Sequence, residues 1–507
     1  MVKNDPYVSN LFRHANTIFE LGFNPKGECS ALAYTRLLYD RCEYFRKEME
    51  ALGMQTRYDV LGNLYGLLPG ASEKKILVLS HLDSVFDAGR YDGVLGVILP
   101  LEYVRWLQDE GIQPRYSMEI LVCMGEESPG VTATFGSKAI TGHYSWQQLQ
   151  DMTLAYDSSM SLPKAIQQFF GDASVELTRE KLQALQLNPE EYVKALEVHI
   201  EQYLQLQNRA KASDGQPHIG VMRGVGGHIR FTIEAEEPSF VEEQLMGYEL
   251  IIHGETGHSG ATPMGEIRKD ALVASAQLIM KLVEQPFPVK FGYWEVLDPS
   301  TTSIPDRVKL NLWVHPEHKS KLIALCGGCE HTDIMIQTTP SDLMTYMAQI
   351  VLAVDRSAND ALDTDEVRAT ITKLELKGHE ASCFCDVRGA TLEGMKGVEN
   401  ATQIPTPNSI HDHREELSRK APILFASTQM EEEVLNAAFE GRVMSGQISV
   451  PGQDIGVIAS CGIDAALFFI ESGTGHHPDE YVREEAMEQA FEATKIILNH
   501  WDKTLNS

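Results

Sequence analysis

Apolar runs of strand length alternate along the chain with segments of helical periodicity. Residues 7–21 and 31–52 carry apolar side chains at steps of three and four residues, which predicts amphipathic helices. Four short and almost wholly apolar runs read "KILVLS", "MEILVCM", "LEVHI" and "ALFFIE". Strands that are apolar on both sides and separated by helices are typical of a mixed, mostly parallel sheet with helices on both faces. The pattern therefore predicts an α/β domain.

A different pattern begins near residue 219. "HIRFTIEAE" and "RVKLNLWVHPE" alternate apolar and polar residues, as antiparallel strands with one wet face do, and "DALVASAQLIMKLVEQ" adds a helix. We interpret residues 219–395 as an inserted α+β domain, and residues 1–218 with 396–507 as the domain that receives it. The polar, proline-bearing segment 401–422 is predicted to be a loop or linker. No internal repeat is evident in the sequence.

Composition and charge narrow the choice of partners. Lys and Arg total 43 against 72 Asp and Glu, so the formal net charge of −29 disfavours binding to nucleic acid. No apolar run is long enough to span a bilayer, and the first residues lack the apolar core of a signal peptide. We therefore expect a cytoplasmic protein that binds neither nucleic acid nor membrane.

Eight cysteines in a chain of this length do not suggest a disulfide framework. Cys326 and Cys329 form a CxxC pair and Cys383 and Cys385 a CxC pair, and four thiolates would suit a zinc ion. The two pairs are far apart in sequence, so partly buried reduced thiols are the simpler interpretation.

Histidines and carboxylates follow each of the four aliphatic runs. They are His81 and Asp83, Glu126 and Glu127, His199 and Glu201, and His476 and His477. Because ligands bind at the carboxyl ends of strands in open α/β sheets, these groups are predicted to converge. Asp92 follows the glycine-containing turn "DAGRYDG", where one carboxylate could bridge two metal ions. Each residue alone is more simply a polar loop group, but four strand ends together favour a metal centre.

Spacing suggests distinct roles within this set. On an extended segment His81 and Asp83 point the same way, so the Asp83 carboxylate is predicted to orient the imidazole. Glu126 and Glu127 project to opposite sides, which allows one to bind metal and the other to serve as base in metal-assisted hydrolysis. An isolated Glu-Glu pair would more often be solvated.

These residues give the chain a resemblance to the M20 metallo-hydrolases, specifically the branch of allantoate amidohydrolases and N-carbamoyl-L-amino-acid hydrolases. The stretches that carry it are "SHLDSVFDAGRYDGVLGV", "GEES" with "FGSKAITG", "EVHIEQ", "TGHSGATPMGEIRKDA" and "GTGHHPDEY", in the family's order. The histidine in "HIEQ" is the mark of this branch, since related peptidases and deacylases typically have a carboxylate there.

The resemblance implies a role for each matching residue. One metal ion would be bound by His81, Asp92 and His199, and a second by Asp92, Glu127 and His476. Glu126 would be the general base, Asp83 a supporting carboxylate and His258 a donor to the oxyanion. It also implies a homodimer through the inserted lid domain, with His258 serving the partner subunit's site. His477 departs from the small residue usual at its position.

Other departures concern substrate binding. The family's lid has Asn, then Val-Pro, then a strand ending in Asp-x-Arg, whose arginine holds the substrate carboxylate. Thr302 and His315 stand near those positions, but a later strand, "CFCDVRG", places Arg388 after an insertion, and both alignments stay open. Gln453 stands in "GQDI" where a histidine is usual, and "HIEQ" continues with Tyr203 and Leu204 in place of Gly-Pro.

The predicted function is hydrolysis of a non-peptide C–N bond in a ureido or carbamoyl substrate, with two divalent ions. Zinc, manganese, cobalt and nickel all suit such ligands. The alternatives are an M20 peptidase or deacylase and, from another class, a catalytically inactive homologue that binds a protein through its enlarged lid.

Overall fold

The chain divides into two units. The computed structural model describes residues 5–22, 30–127, 129–201, 206, 218–239, 243–257, 259, 262, 264–265, 268–297, 303–327, 329–362, 366–449, 452–473, 476 and 479–505. The first unit is Met1–Val225 with Ile423–Ser507, and the second is Gly226–Pro422. Both boundaries lie later than the 219 and 395 expected from the sequence, because residues 219–225 form a strand of the first sheet and residues 411–420 a strand of the second.

The first unit combines helices with a nine-stranded sheet. Its helices are α1 (Pro6–Leu21), α2 (Arg36–Ala51), α3 (Val94–Asp109), α4 (Phe135–Ile140), α5 (Trp146–Asp151), α6 (Leu162–Phe170), α7 (Arg179–Leu185), α12 (Thr428–Ala438), α13 (Asp454–Ser460) and α14 (Glu484–Thr504). Its strands are β1 (Gln55–Tyr58), β2 (Leu64–Leu68), β3 (Ser72–His81), β4 (Tyr116–Cys123), β5 (Tyr192–Ile200), β6 (Ile219–Val225), β15 (Ile423–Leu424), β16 (Met444–Ser449) and β17 (Ala465–Ile470).

The centre of this sheet is parallel and buried. Its order is β1-β2-β4-β3-β5-β17-β6-β15, with β16 paired to β6. β3 runs parallel to β4 and β5, and β5 runs parallel to β17. Every residue of β4 and β17 is buried, so both faces are covered, as the aliphatic runs predict. The carboxyl ends of these four strands meet at one edge.

The second unit has an antiparallel sheet of eight strands with helices packed on it. Its elements are β7 (Gly227–Glu236), β8 (Gln244–His253), α8 (Ala271–Val283), β9 (Val289–Val296), β10 (Arg307–Val314), α9 (Lys319–Cys326), β11 (Glu330–Gln337), α10 (Ser341–Asp360), β12 (Arg368–Lys377), β13 (Glu380–Gly389), α11 (Leu392–Ala401) and β14 (His411–Lys420). The strand order is β11-β8-β10-β9-β12-β13-β7-β14. The predicted α/β fold with an inserted α+β domain is thus confirmed.

Two local predictions were wrong. The helix predicted from residue 31 begins at Arg36, because Tyr34 has a φ of 64° and the Thr35 hydroxyl caps the helix by accepting from the Leu38 amide. The linker predicted over 401–422 contains β14, which pairs with β7. Its side chains are almost all polar because β14 is an edge strand, where charge discourages pairing with another chain.

The cysteines support the simpler interpretation. Among the described residues, the candidate metal-binding groups, whose ligand atoms lie within 4.8 Å of one another, contain no cysteine. Burial raises the pKa of Cys383 and of Cys326 to about 12, so both thiols stay protonated at neutral pH.

No helix in the described parts of the chain is both long and apolar enough to cross a membrane.

A buried lysine joins the sheet to α12. Lys194, on β5, is fully buried and donates to Glu431 Oε1 at 2.6 Å, and its Nζ lies 3.1 Å from Asp464 Oδ2. Glu431 is also fully buried and accepts from Trp501 Nε1 at 3.0 Å. Removing one partner of such a pair leaves an uncompensated charge in the core.

We predict that Lys194→Met lowers the free energy of unfolding of the first unit by about 3–5 kcal/mol. The double variant Lys194→Met/Glu431→Leu should lose less, because neither charge remains. Arg36→Met, which removes an exposed ion pair with Asp40 in the same unit, is the control and should cost below about 1 kcal/mol. Urea denaturation measures all three, and equal losses for Lys194→Met and Arg36→Met would contradict the prediction.

Candidate metal centre

The carboxyl edge of the parallel strands brings the predicted residues together. His81 is the last residue of β3, and His199 is the penultimate residue of β5. Glu126 and Glu127 follow β4, and His476 follows β17. Asp92 lies just before α3, which begins at Val94. Four strand ends and one helix start therefore supply the set.

Two groups of ligand atoms share the carboxylate of Asp92. His81, Asp92 and His199 form one group, and Asp92, Glu127 and His476 form the other, with ligand atoms within 4.8 Å of one another in each. Asp92 Oδ1 lies 2.9 Å from His199 Nε2, and Asp92 Oδ2 lies 2.8 Å from His476 Nε2. The two oxygens thus face opposite groups, which is the geometry of a bridging carboxylate.

The main-chain contacts of two histidines are compatible with a bound cation. His81 Nδ1 donates to the Asp83 carbonyl at 3.0 Å, and His199 Nδ1 donates to the Ile200 carbonyl at 2.9 Å. Since each Nδ1 carries the proton, each neutral ring presents a lone pair at Nε2. These two Nε2 atoms are 3.3 Å apart. When both rings are neutral, these two lone pairs face each other, and a cation between them would accept both.

The charges at the centre favour a cation as well. Burial would raise the pKa of Asp92, but His199 and His476 outweigh it and hold that pKa well below its ordinary value. Burial would lower the pKa of His476, yet Glu127 and Asp92 raise it well above the usual range. Burial raises the pKa of Glu126 far above its ordinary value, opposed by His81. Asp92 and Glu127 therefore attract positive charge at this site.

Asp83 contacts His81 and also the loop after β4. The atom that orients His81 is the main-chain carbonyl of Asp83, whereas the carboxylate Oδ1 is 3.6 Å from His81 Nδ1. The carboxylate accepts instead from the amides of Glu126 at 3.1 Å and Glu127 at 2.9 Å. Asp83 therefore fixes the loop after β4 to the loop after β3. Both the carbonyl and the carboxylate of Asp83 thus lie beside the Nδ1 edge of the His81 ring.

Gln453 lies in the first unit as the residue before α13. It is buried, and its Oε1 has no hydrogen-bond partner among the described residues. The next residue, Asp454, is fully buried and accepts from Ser137 Oγ at 2.5 Å.

In the second unit Arg388 belongs to a cluster of basic residues. Asp386 accepts from Arg230 Nε and Arg388 Nε, each at 3.0 Å, which leaves the terminal guanidinium nitrogens of both arginines without a partner among the described residues. Burial would raise the pKa of Asp386, but these arginines lower it to about 2. Arg388 pairs across the sheet with His228, whose pKa burial and Arg230 lower to about 3. This arrangement presents guanidinium groups to an anion.

His315 has different surroundings. It follows β10, its side chain is 56% exposed, and its Nδ1 lies 3.5 Å from Glu317 Oε1. Five residues singled out from the sequence lie outside the described residues: Tyr203, Leu204, His258, Thr302 and His477.

Comparison with known proteins identifies the family. The model of peptidase family M20/M25/M40 matches residues 77–500. The chain belongs to the M20 family. Allantoate amidohydrolase of Escherichia coli (strain K12) is 26% identical over 349 residues, 66% of this chain and 73% of that protein. Allantoate deiminase 1 of Glycine max is 30% identical over 245 residues, which cover 47% of this chain and 44% of the soybean protein. N-carbamoyl-L-amino acid amidohydrolase of Geobacillus stearothermophilus is 27% identical over 310 residues, 60% of this chain and 68% of that protein.

Solved structures share the fold of this M20 chain. AtUAH in complex with (S)-hydroxyglycine matches with a TM-score of 0.63 and 18% identity over 98% of this chain and 97% of that one. A hydantoinase/carbamoylase family amidase from Burkholderia phymatum matches with a TM-score of 0.64 and 18% identity, covering 98% of each chain.

Glu480 is a residue of the M20 centre that the sequence analysis did not single out. It is buried, and its Oε1 accepts from the amides of Tyr91 at 2.6 Å and Asp92 at 3.1 Å. Burial and the nearby Asp92 raise its pKa to about 7. Glu480 thus holds the main chain of the bridging residue in place. The only sequence signal was its position in "GTGHHPDEY", where the two histidines attract attention first.

Gly93 permits the close approach of α3 to the centre. Its φ is 67°, and a Cβ at this position would lie 2.5 Å from His81 Cε1 and Nε2. The Ser80 hydroxyl donates to the Gly93 carbonyl at 2.7 Å, which fixes this turn against β3. Only glycine can occupy the position without displacing a ligand ring.

We predict that Gly93→Ala weakens divalent-metal binding about tenfold or more, because the new methyl group displaces His81. Gly111→Ala is the matched control, since Gly111 has a φ of 66° and an added Cβ there would have no neighbouring atom within 4 Å among the described residues. Calorimetric titration with Zn²⁺ or Mn²⁺ measures the affinities, and circular dichroism confirms folding. Equal affinities in the two variants would disprove the steric argument.

Proposed function

We propose that this chain is a metal-dependent amidohydrolase that cleaves a non-peptide C–N bond of a ureido or carbamoyl substrate. The observation that carries the proposal is the Asp92 carboxylate facing two histidines, one through each oxygen. The sequence relatives named as allantoate and N-carbamoyl-amino-acid amidohydrolases support the substrate class. Every described cysteine is a free thiol, which suits a reducing compartment such as the cytoplasm.

Two divalent ions would be held at this centre. His81, Asp92 and His199 would hold one, and Asp92, Glu127 and His476 the other. Zinc or manganese suits these donors, with cobalt and nickel as further candidates. The ions would supply a Lewis acid for the carbonyl oxygen and lower the pKa of the attacking water.

Glu126 is the general base in this proposal. It belongs to neither ligand group, its side chain is largely buried, and its Oε2 lies 3.9 Å from His81 Nε2. Its carboxylate takes a proton from water as the water oxygen bonds to the carbonyl carbon, and then returns that proton to the leaving nitrogen as the C–N bond breaks. A carbamoyl group released in this way decomposes to carbon dioxide and ammonia.

Three further residues are proposed to bind the substrate. Arg388 would hold a carboxylate through its terminal nitrogens, in the bidentate manner that favours arginine over lysine. His258 would donate to the developing oxyanion, and Gln453 would contribute its side-chain Oε1, which has no partner among the described residues.

A substrate panel tests the proposed function. Purified protein is reconstituted with Zn²⁺ or Mn²⁺ and incubated with allantoate, N-carbamoyl-L-amino acids, N-acetyl-amino acids and dipeptides, and ammonia and free amino acids are measured. Ammonia from the first two classes supports the proposal. Amino-acid release only from dipeptides or N-acetyl-amino acids would favour a peptidase or deacylase. Metal binding without turnover across the panel would favour an inactive binding homologue.

We predict that Glu126→Gln lowers turnover by about a hundredfold or more while both ions stay bound, because only the proton carrier is lost. Glu127→Gln should lose metal as well as activity, because a ligand charge is removed. The measurements are turnover and elemental analysis on the same samples. Near-normal turnover in Glu126→Gln would show that another group is the base.

We predict that Arg388→Lys raises KM for a carboxylate-bearing substrate about tenfold or more without changing metal content, because lysine cannot form the two parallel hydrogen bonds. His315→Ala is the control and should leave KM unchanged. If His315→Ala raises KM and Arg388→Lys does not, the carboxylate is held at the other alignment of the lid.

A further inference from the structure

The second unit consists of two modules with the same order of helices and strands. One module, residues 244–337, runs β8, α8, β9, β10, α9, β11; the other runs β7, α10, β12, β13, α11, β14. Each is a β-α-β-β-α-β sequence, and the first module is inserted after the opening strand of the second. Counted from the outer edge of the sheet to its centre, each module has its fourth, first, third and second strand in that order. These are β11-β8-β10-β9 in one module and β14-β7-β13-β12 in the other. The two modules therefore have one topology, although their sequences show no repeat.

Register as well as topology is repeated. The third strand of each module starts opposite the end of the first strand, with Arg307 paired to His253 in one and Glu380 paired to Glu236 in the other. In both modules the pairing between the second and third strands contains a register shift. The shift lies between Leu310 and Leu312 in one module, and next to the residue paired with Cys385 in the other. Leu310 pairs with Trp294, and the corresponding Cys383 pairs with Leu374. Trp294 and Leu374 are thus equivalent, and so are the next residues, Glu295 and Glu375.

At the joint, where the two modules meet, the modules are related by an approximate two-fold axis. The second strands, β9 and β12, pair antiparallel, with Glu295 opposite Glu375 and Trp294 opposite Leu376. Glu295 therefore faces its own equivalent. The first helices, α8 and α10, also pack against each other. An interface in which each element meets its counterpart is what a symmetric dimer of two identical lids would form.

We propose that this protein is a monomer whose inserted module replaces the lid of a partner subunit. The strand edge of β12 that a second copy would need is already paired to β9 within the chain. The joint is also buried as a core is, since Trp294 and Leu376 are both fully buried and Trp294 Nε1 donates to Ser275 Oγ at 3.0 Å. The homodimer through the lid that the family resemblance implies is then unnecessary.

The outer edges of the sheet are protected against pairing. β14 reads "HDHREELSRK" and β11 reads "EHTDIMIQ", and most of their side chains are exposed. Charged edge strands resist addition of another strand. The unit therefore shows a closed joint at its centre and a charged outer edge at β14.

The two modules also contain different members of the residues that the family resemblance assigns to the lid. By the shared register, the "DVR" ending at Arg388 on β13 corresponds to "WVH" ending at His315 after β10. The first module lacks the arginine but contains the "TGHSG" segment with His258, between its first strand and first helix in the sequence. The second module keeps Arg388 and has the whole first module inserted at that point. Each module thus retains a different part, so one chain carries the donor that the resemblance assigns to a partner.

The mass in solution tests this proposal independently of any activity. Light scattering after size-exclusion chromatography, at loadings from micromolar to the highest soluble concentration, should give the chain mass of 56.5 kDa throughout. Twice that mass, with or without metal, would overturn the proposal.

A mixing experiment adds a second test, which rests on the proposed function. Glu126→Gln and His258→Ala are each inactivating in that proposal, and they are co-expressed with different tags. In a monomer the mixture should have only the summed activities of the two variants. In a dimer that exchanges His258, mixed dimers would hold one intact site, so activity would return to about a quarter of wild type and overturn the proposal. If the wild type is inactive on every substrate, the proposed function fails, and the measured mass alone decides the oligomeric state.

Discussion

The metal centre depends on one buried carboxylate that faces histidines on both sides. Asp92 lies between His199 and His476, which hold its pKa well below the ordinary value and so favour the ionised carboxylate. A buried anion needs a compensating positive charge. The paired lone pairs of His81 and His199 favour one as well when both rings are neutral. Two cations would satisfy both requirements at once, which is why the four strand ends and the start of α3 converge here.

Backbone contacts, and not only the ligands, hold this arrangement. Glu480 accepts from the Asp92 amide, Asp83 accepts from the amides of Glu126 and Glu127, and Gly93 allows α3 to start against the His81 ring. Each contact ties together loops that follow different strands. A ligand set spread over most of the chain is thereby fixed by short hydrogen bonds, before any ion contributes.

The duplicated topology of the second unit explains why two alignments of the substrate clamp were open. His315 and Arg388 occupy equivalent positions of the two modules, so the two alignments point to the same place in the shared topology. In the proposed function only Arg388 has the chemistry for a carboxylate, since Asp386 holds its Nε and leaves the terminal nitrogens available. His315 is exposed beside Glu317.

The sequence by itself determined the α/β fold, the inserted domain and the convergence of histidines and carboxylates at one sheet edge. These follow from local patterns: buried parallel strands must be aliphatic, and polar residues at their carboxyl ends must share an edge. Tertiary structure alone decided the roles of Asp83 and Glu480, because a carboxylate that accepts from a distant amide has no local signature. It also decided that β14 is a strand and not a linker, since a charged edge strand has the composition of a loop. The duplicated lid was invisible for a related reason: topology and register can repeat through hydrogen-bonded backbone alone, while the side chains that would show a repeat have diverged.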